Sequence, residues 1–445
     1  MRIRPACLLF PMLFVACSIL TACGGGGGGS DSTSTGAAAP ATASSAPAAS
    51  SPAAAAPASA ATPASTATPA SAPETVSSPP AATVAQSTTP NVLPITVAKI
   101  ATGTRNMLQT SVTVCVPGTA TCQTIDNIQV DTGSQGLRIL ASALTPALAL
   151  PAVVGVSGAS TASCTVFGSG YTWGSVRTAD VRLAGEVAAS TSIQIIADPS
   201  VPTVPANCSN SGLPMLTATA LRSNGILGVG PFSADCGSGC ATTALPRWYY
   251  SCTSGACVPI KLPVAQQVTN PVSNFATDNN GVLIELPAVA DTGAPSVSGT
   301  MTFGIGSQSN NQLGSAQVLP GNGVTGFVKT AFQGSTYATS FIDSGSNGLF
   351  LPISSIPGCG LWFCPTAAQS LSASVTGTNG ATKNVTFTIG NALTLFASNN
   401  NAFGNLAGPA NGYVDWGLPF FFGRRVFTAI EAQVTPAGNG PYYAF

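Results

Sequence analysis

Two aspartates of this 445-residue chain, Asp131 and Asp343, begin nearly identical heptapeptides. Residues 131–137 read Asp-Thr-Gly-Ser-Gln-Gly-Leu, and residues 343–349 read Asp-Ser-Gly-Ser-Asn-Gly-Leu. Five of the seven positions are identical, and the other two exchange Thr for Ser and Gln for Asn. Two carboxyls held within hydrogen-bonding distance cannot both ionise cheaply, so they share one proton. Such a pair can deprotonate a water and protonate a peptide carbonyl.

The chain contains no histidine. This absence excludes Ser-His-Asp and Cys-His catalysis, histidine general bases and most catalytic zinc sites. Any hydrolytic chemistry must therefore be done by carboxylates, of which the chain has fourteen. The fourteen basic residues balance them to a net charge of zero, so we expect no nucleic-acid partner.

Each heptapeptide follows the end of an apolar, strand-like run. A strand that ends in this way delivers a carboxylate onto a tight loop, where glycine lets the backbone approach closely. An Asx-type turn is the alternative, because Asp before Ser/Thr-Gly is common turn chemistry. Asp291 begins a third Asp-Thr-Gly but lacks the trailing Ser and Gly-Leu. We therefore interpret Asp291 as an ordinary turn, and Asp131 and Asp343 as a paired site.

On these two loops the chain resembles the pepsin-like aspartic proteases, in which each lobe supplies one Asp-Thr/Ser-Gly loop. Four further segments follow in the order expected of that family. Residues 223–230 are similar to the apolar-apolar-Gly strand that crosses behind the first loop, and 416–422 to its counterpart in the second lobe. Residues 167–183 resemble the flap hairpin with its following strand, and 299–304 resemble the strand that opens the second lobe.

The resemblance implies an all-β, two-lobed double β-barrel of the pepsin-like acid protease type, with an N-terminal lobe at 91–290 and a C-terminal lobe at 291–445. The residue pattern agrees with this fold class. Short runs rich in Val, Ile, Thr and Phe alternate with Gly, Pro, Asn and Ser, and amphipathic helical periodicity is almost absent after residue 90. We therefore predict many short strands in two lobes.

By the same resemblance, Asp131 and Asp343 are the catalytic pair, and no metal or organic cofactor is required. In that family the hydroxyl after each aspartate bonds across to the opposite loop, and the serine three residues after it bonds the outer carboxylate oxygen. The residues expected to support the catalytic loops here are Thr132, Gly133, Ser134, Ser344, Gly345 and Ser346. The substrate or ligand is expected to be a polypeptide.

Two features depart from the family pattern. Active members carry a tyrosine immediately before the flap Gly-Ser/Thr-Gly; this chain has Phe167 there, and Tyr171 lies four residues later. Phenylalanine can cover a substrate but cannot donate a hydrogen bond. The tryptophan usual shortly after the first aspartate loop is missing, and Arg138 lies in that neighbourhood. An isolated positive charge there would lower the pKa of the pair.

Ten of the thirteen cysteines lie in the predicted lobes. An even number in an oxidising envelope favours up to five disulfides. The expected pairs are Cys115 with Cys122, Cys359 with Cys364 and, by elimination, Cys164 with Cys208. The connectivity of the remaining four stays open: Cys236, Cys240, Cys252 and Cys257. A four-thiolate zinc site is the alternative for this cluster, although its spacing is not that of paired zinc knuckles.

The amino terminus carries an export pattern. Arg2 and Arg4 precede an apolar stretch at 6–20, which is shorter than the roughly 20 residues of a membrane span. Residues 20–23 read Leu-Thr-Ala-Cys, which looks like a bacterial lipobox. We therefore predict a lipoprotein signal peptide at 1–22 and lipidation of Cys23. An ordinary cleaved signal with an incidental cysteine is the alternative.

Residues 23–90 follow the predicted cleavage site. They contain six consecutive glycines and then mainly Ala, Pro, Ser and Thr, with Asp31 and Glu74 as the only charges. Such a segment has little to bury, so we predict a disordered tether between the lipid anchor and the folded part. A non-acidic residue after Cys23, here Gly24, favours sorting to the outer membrane of the bacterial cell envelope.

The sequence thus predicts an envelope-anchored, monomeric acid endopeptidase that uses a water activated by paired aspartates. The alternative is a catalytically inactive relative whose two lobes form a cleft that binds peptide or polysaccharide, because fold does not fix function. In both cases the protein reaches the membrane through its lipid anchor.

Overall fold

The computed structural model describes residues 89–155, 158–253 and 256–445. The predicted signal peptide at 1–22, the lipidation site Cys23 and the tether as far as residue 88 lie outside the described residues. None of the helices in the described part has the length and apolar character that a membrane span requires.

Regular structure in the described part is mostly β. The strands of the first half are β1 (Val92–Val97), β2 (Leu108–Cys115), β3 (Cys122–Asp131), β4 (Gln135–Leu140), β5 (Ser160–Phe167), β6 (Gly170–Leu183), β7 (Glu186–Ile196), β8 (Gly225–Val229), β9 (Tyr249–Thr253), β10 (Ala256–Pro259) and β11 (Gly281–Leu286). The later strands are β12 (Val297–Phe303), β13 (Val318–Pro320), β14 (Val328–Phe332), β15 (Ser335–Ile342), β16 (Leu349–Leu351), β17 (Gly358–Cys359), β18 (Trp362–Phe363), β19 (Gln369–Thr376), β20 (Thr382–Ile389), β21 (Ala407–Pro409), β22 (Asp415–Trp416), β23 (Arg424–Ala429), β24 (Val434–Thr435), β25 (Gly438–Asn439) and β26 (Tyr442–Ala444).

The helices of the described part are short. The α-helices are α1 (Ala206–Ser209), α2 (Ala218–Leu221), α3 (Ser238–Thr242) and α4 (Ala392–Phe396). Single 3₁₀ turns lie at Ala141–Ala143, Val264–Gln266, Pro271–Asn274, Ser309–Asn311 and Leu418–Phe420. These helices connect strands, and some of them add buried side chains to the core, such as Val272, Leu395 and Phe420.

The same strand arrangement occurs once in each half of the folded part. In the first half, β8 runs parallel to β3, with Gly228 beside Asp131, and antiparallel to β4. In the second half, β22 runs parallel to β15, with Trp416 beside Ile342, and antiparallel to β16. Each aspartate therefore lies where one strand ends beside a crossing strand. The predicted all-β, two-lobed fold class is confirmed by this repeated arrangement.

Two large sheets carry these elements. The larger has the order β10-β9-β5-β6-β7-β4-β8-β3-β2-β1-β12-β11-β23-β26-β13, and the smaller has the order β20-β19-β14-β15-β22-β16-β21. The larger sheet joins both halves, because β1 pairs with β12 and β11 pairs with both β12 and β23. The lobe boundary predicted near residue 290 therefore separates strands that share a sheet, and its position stays a prediction.

The pattern of buried and exposed side chains shows whether a strand is covered on one face or on both. β14 reads Val-Lys-Thr-Ala-Phe and alternates buried with exposed positions, as expected of a strand with one face in solvent. β8 reads Gly-Ile-Leu-Gly-Val and is buried at all five positions, so it is covered on both faces. A Cβ at Gly228 would lie 2.7 Å from the carbonyl carbon of Gln135. Glycine is therefore required for β8 to pass this close to β4.

The predicted disulfides are confirmed. Bonds join Cys115 to Cys122, Cys164 to Cys208 and Cys359 to Cys364. The connectivity that spacing left open is Cys236 to Cys240 and Cys252 to Cys257. All four cysteines of the cluster are therefore oxidised in pairs, and the alternative of a zinc site there is wrong.

Removing the Cys164–Cys208 disulfide is expected to cost more stability than removing Cys252–Cys257. The first joins residues 44 apart and the second residues 5 apart, and a longer crosslinked loop removes more entropy from the unfolded chain. We expect the two double Cys→Ala variants to lose about 4 and about 2 kcal/mol of unfolding free energy, respectively. Urea denaturation of both variants measures the difference, and equal losses would contradict the loop-length explanation.

Candidate active site

Asp131 and Asp343 are each held by groups of their own loop. Oδ1 of Asp131 accepts a hydrogen bond from the N–H of Gly133 at 2.7 Å, and its Oδ2 accepts one from the hydroxyl of Ser134 at 2.5 Å. Asp343 accepts the corresponding two bonds from the glycine and serine of its own loop, at 2.7 and 2.9 Å. The two halves therefore orient their carboxyls with the same pair of contacts.

Crossed hydrogen bonds join the two loops through Thr132 and Ser344. The hydroxyl of Thr132 donates to the carbonyl oxygen of Ile342 at 3.0 Å and accepts from the N–H of Ser344 at 2.9 Å. The hydroxyl of Ser344 donates to the carbonyl oxygen of Val130 at 2.9 Å and accepts from the N–H of Thr132 at 3.1 Å. Both hydroxyl side chains are buried, so the four bonds fix the loops against each other without competition from water.

The loop glycines let the two carboxyls meet. A Cβ at Gly133 would lie 2.6 Å from Cγ of Asp343, and a Cβ at Gly345 would lie 2.6 Å from Oδ1 of Asp131. Each glycine therefore lies directly against the opposite aspartate, where any side chain would force the loops apart. In this arrangement the carboxyls of Asp131 and Asp343 interact directly, and the negative charge of Asp131 favours a proton on Asp343.

The environment of Asp343 favours its protonated form. Burial raises the pKa of Asp343 well above its usual range, and the negative charges of Asp131 and then Asp415 raise it further. The hydrogen bond from Ser346 acts in the opposite direction and is smaller.

Asp415, on β22, is a third buried carboxyl of the site. It is 2 % exposed, and burial raises its pKa well above the usual value, against the hydrogen bond from Ser346 and with help from the charge of Asp131. Sequence reasoning missed this residue. The available signal was a lone acid within 413–422, where the other residues are apolar or aromatic except for one glycine.

A cavity of about 110 Å³ opens onto the aspartates. Asp131, Asp343 and Asp415 line it together with residues of both halves. The first half contributes mainly apolar side chains such as Ile226, and the second half contributes Phe341 with other aromatic and polar groups. A concave site with apolar walls and a few convergent polar groups is the usual form of a ligand pocket.

The structure separates the two aromatic residues expected at the flap. β5 and β6 form a hairpin, and Phe167 lines the cavity at its tip with Gly168 and Ser169. Tyr171 is buried against Trp173 in a separate cluster, and its backbone pairs with the segment that includes Met215. Tyr171 is not among the residues that line the cavity.

Arg138 is fully buried and paired. Its guanidinium lies 3.0 Å from Asp235, donates to the carbonyl oxygens of Gln135 and Gly136, and lies over the ring of Phe167. The expectation of an isolated positive charge near the aspartate pair is therefore wrong, since a carboxylate compensates it. Burial raises the pKa of that carboxylate, Asp235, to about 6 although Arg138 favours its charged form.

Asp291 lies in a surface turn. It is exposed, and the N–H of Gly293 donates to the carbonyl oxygen of Ala290 at 2.8 Å, closing the turn. It is not among the residues that line the aspartate cavity. The structure thus distinguishes this third Asp-Thr-Gly from the two loops that meet.

The fold and site define an all-β protein with two like halves, each of which supplies one aspartate to a shared buried pair. The chain belongs to the family described as "Protein of unknown function (DUF3443)", which matches residues 87–445. No curated protein matches the chain. Among solved structures, the chain is similar to the crystal structure of an aspartic proteinase from Irpex lacteus, with 16% identity and a TM-score of 0.46 over 79% of this chain and 96% of that one. Function has to be inferred from the site itself.

Replacing Thr132 by Val is expected to destabilise the protein, because valine has the shape of threonine but makes neither crossed hydrogen bond. A buried N–H and a buried carbonyl lose their partner, at a cost of about 1–3 kcal/mol in unfolding free energy. Thr132→Ser keeps the hydroxyl and serves as the matched control, with a loss below about 1 kcal/mol. Urea denaturation compares them, and equal losses would show that the hydroxyl does not fasten the loops.

Replacing Asp415 by Asn is expected to lower the pKa of Asp343. The substitution removes a negative charge that raises this pKa, so the proton leaves Asp343 at lower pH. Carboxyl ¹³C NMR of the protein labelled at aspartate measures the titration midpoint. Asp126→Asn, which removes an exposed carboxyl, is the control and should leave the midpoint unchanged. An unchanged midpoint in Asp415→Asn contradicts the coupling.

Proposed function

We propose that this protein is an envelope-anchored aspartic endopeptidase that cleaves polypeptides with a water activated between Asp131 and Asp343. The observation that carries the proposal is the close approach of two carboxyls, one from each of two like halves, that line one cavity. Both are oriented by their own loops and by crossed bonds between the loops. Such a pair can give and take a proton at the same time.

In the proposed reaction the pair begins with one proton, placed on Asp343, where burial and neighbouring charge favour the protonated form. Asp131 then takes a proton from a water held between the two carboxyls, and the water oxygen attacks the carbonyl carbon of the peptide bond. Asp343 gives its proton to the carbonyl oxygen. As the tetrahedral intermediate collapses, the C–N bond breaks and the leaving nitrogen takes the proton held by Asp131. One hydroxyl of the intermediate returns its proton to Asp343 as the carbonyl reforms.

The hairpin that ends at Phe167 covers the reacting atoms. Phe167, Gly168 and Ser169 line the cavity opposite the second half. A cover of this kind excludes bulk water and strengthens the electrostatic interactions beneath it. Phe167 contributes an apolar surface and no hydrogen bond, so the flap orients the substrate by shape and through the backbone.

The placement of the enzyme follows from the amino terminus. In this proposal a signal peptide at 1–22 is removed, Cys23 is lipidated, and the tether at 23–90 holds a monomeric catalytic part away from the bacterial outer membrane. A polypeptide in the envelope is the substrate. No metal or organic cofactor is assigned a step.

A second candidate is a non-catalytic binding protein, and the observation that favours it is Phe167, which replaces the hydrogen-bonding tyrosine of active relatives. In that case the same cavity binds peptide or polysaccharide. The aromatic rings of Phe341 and Tyr413, stacked 6.0 Å apart and lining the cavity, would suit either ligand.

The two candidates differ in whether an unfolded protein is cleaved. We expect the detergent-solubilised full-length protein to cleave reduced, alkylated serum albumin at acidic pH, as followed by the release of new amino termini. Asp131→Asn and Asp343→Asn should each lower the rate by at least about 10²-fold. Asp291→Asn removes the turn carboxyl and should leave the rate unchanged.

Each contrary result has a defined meaning. Cleavage that survives Asp343→Asn would falsify the paired-aspartate mechanism. A large loss in Asp291→Asn would mean that the wrong carboxyls were paired. No cleavage from acidic to neutral pH, with peptide binding retained, would favour the binding protein.

A further inference from the structure

The two halves of the protein line the cavity with different side chains at one equivalent position, which is Asp415 in the second half. In the first half, Ile226 of β8 lies beside Gln129, two residues before Asp131. In the second half, Asp415 of β22 lies beside Phe341, two residues before Asp343. Ile226 and Asp415 therefore occupy equivalent positions of the repeated strand arrangement, and both line the cavity. One half places a hydrocarbon there and the other a carboxyl.

One oxygen of the Asp415 carboxyl lacks a hydrogen-bond partner among the described residues. Its Oδ1 is fully buried and has none in the described part of the chain. The hydroxyl of Ser346 bonds Asp415 but also donates to Asp343 at 2.9 Å, and a serine hydroxyl has one proton to donate. A buried acceptor left in this state destabilises the folded protein, and the isoleucine of the other half avoids that cost. A cationic group bound in the cavity that Asp415 lines would stabilise this carboxylate.

The negative charges around Asp415 indicate which kind of ligand the cavity would bind. Three carboxyls line one cavity, and ion pairs in the described residues join other groups, such as Arg138 with Asp235. Arg222 lines the cavity but pairs with none of the three acids. Across residues 89–155, 158–253 and 256–445, no group of three or more acidic, histidine or cysteine side chains is placed to hold a metal ion. An organic cation in the cavity would therefore offset the charge of these carboxyls and favour the ionised form of Asp415, which burial disfavours.

The neighbouring side chains suit a long basic residue. Phe341 and Tyr413 line the same wall as Asp415, with rings 6.0 Å apart and 14° from parallel. The methylene stem of lysine or arginine can pack on such rings while its charged end reaches a carboxylate. We infer that Asp415 forms a subsite for a lysine or arginine side chain of the polypeptide substrate, on the second-half wall of the cavity. This inference rests on the proposed endopeptidase function for the identity of the ligand.

The subsite is tested with paired peptides. Mass spectrometry of the serum albumin digest first locates the cleaved bonds. One cleaved octapeptide is then synthesised with lysine or norleucine at each position beside the bond in turn, since norleucine keeps the stem and lacks the charge. For the full-length protein we expect kcat/KM to favour lysine by at least about tenfold at one position.

Two variants assign this preference to Asp415. Asp415→Asn keeps the shape of the side chain, and Asp415→Ile copies the first half. In both variants, kcat/KM for the lysine peptide divided by kcat/KM for the norleucine peptide should fall to about one. The norleucine peptide should still be cleaved. Because the ratio compares two peptides at one pH, any change in the proton shared by the aspartate pair affects both and cancels. A preference that survives in either folded variant, or no lysine preference at any position, overturns the subsite and leaves the endopeptidase proposal standing.

Binding measurements separate the two proposals if cleavage fails. Where no bond of the albumin is cleaved, a set of lysine and norleucine octapeptides of otherwise equal sequence is titrated by calorimetry. Tighter binding of lysine peptides to the wild type, lost in Asp415→Asn, supports the subsite although the endopeptidase proposal has failed. Equal affinities for both sets overturn the subsite as well.

Discussion

Two buried carboxyls within hydrogen-bonding distance repel each other unless a proton lies between them, and the other features of the site serve to hold that contact. Gly133 and Gly345 remove the side chains that would separate the loops. Thr132 and Ser344 fasten the loops by crossed bonds. The crossing strands β8 and β22 support each aspartate from behind. The pair is thus a property of both halves together.

The parts of the site that repeat within the chain could be predicted from the sequence. A heptapeptide that occurs twice marks two equivalent loops, and two equivalent loops imply two like halves with a common seam. Short-range disulfides were also predictable, because cysteines such as Cys115 and Cys122 flank a turn. Connectivity within the four-cysteine cluster was not, since several pairings satisfy the same spacing.

Features that depend on long-range register could not be predicted. Asp415 lies 72 residues after Asp343 in the sequence, and only the parallel pairing of β22 with β15 brings it beside the pair. It has no acidic counterpart in the first half, so the repeat could not reveal it. Likewise, the partner of Arg138 is Asp235, almost a hundred residues away. The hydrophobic pattern predicts where strands lie along the sequence, but it does not predict which polar side chains those strands bring together.

The departures from symmetry matter as much as the repeat. Two identical walls would present a bound chain with the same surface on both sides of the aspartates, and would not distinguish one direction of the chain from the other. Gln129 of the first half donates its amide to the carbonyl oxygen of Gly345 at 2.8 Å, so its polarity is used to hold the opposite loop. In the second half Phe341 occupies the equivalent position, and it lines the cavity with Asp415 beside it. Both halves fasten the loops and line the cavity, but they place different side chains at these equivalent positions.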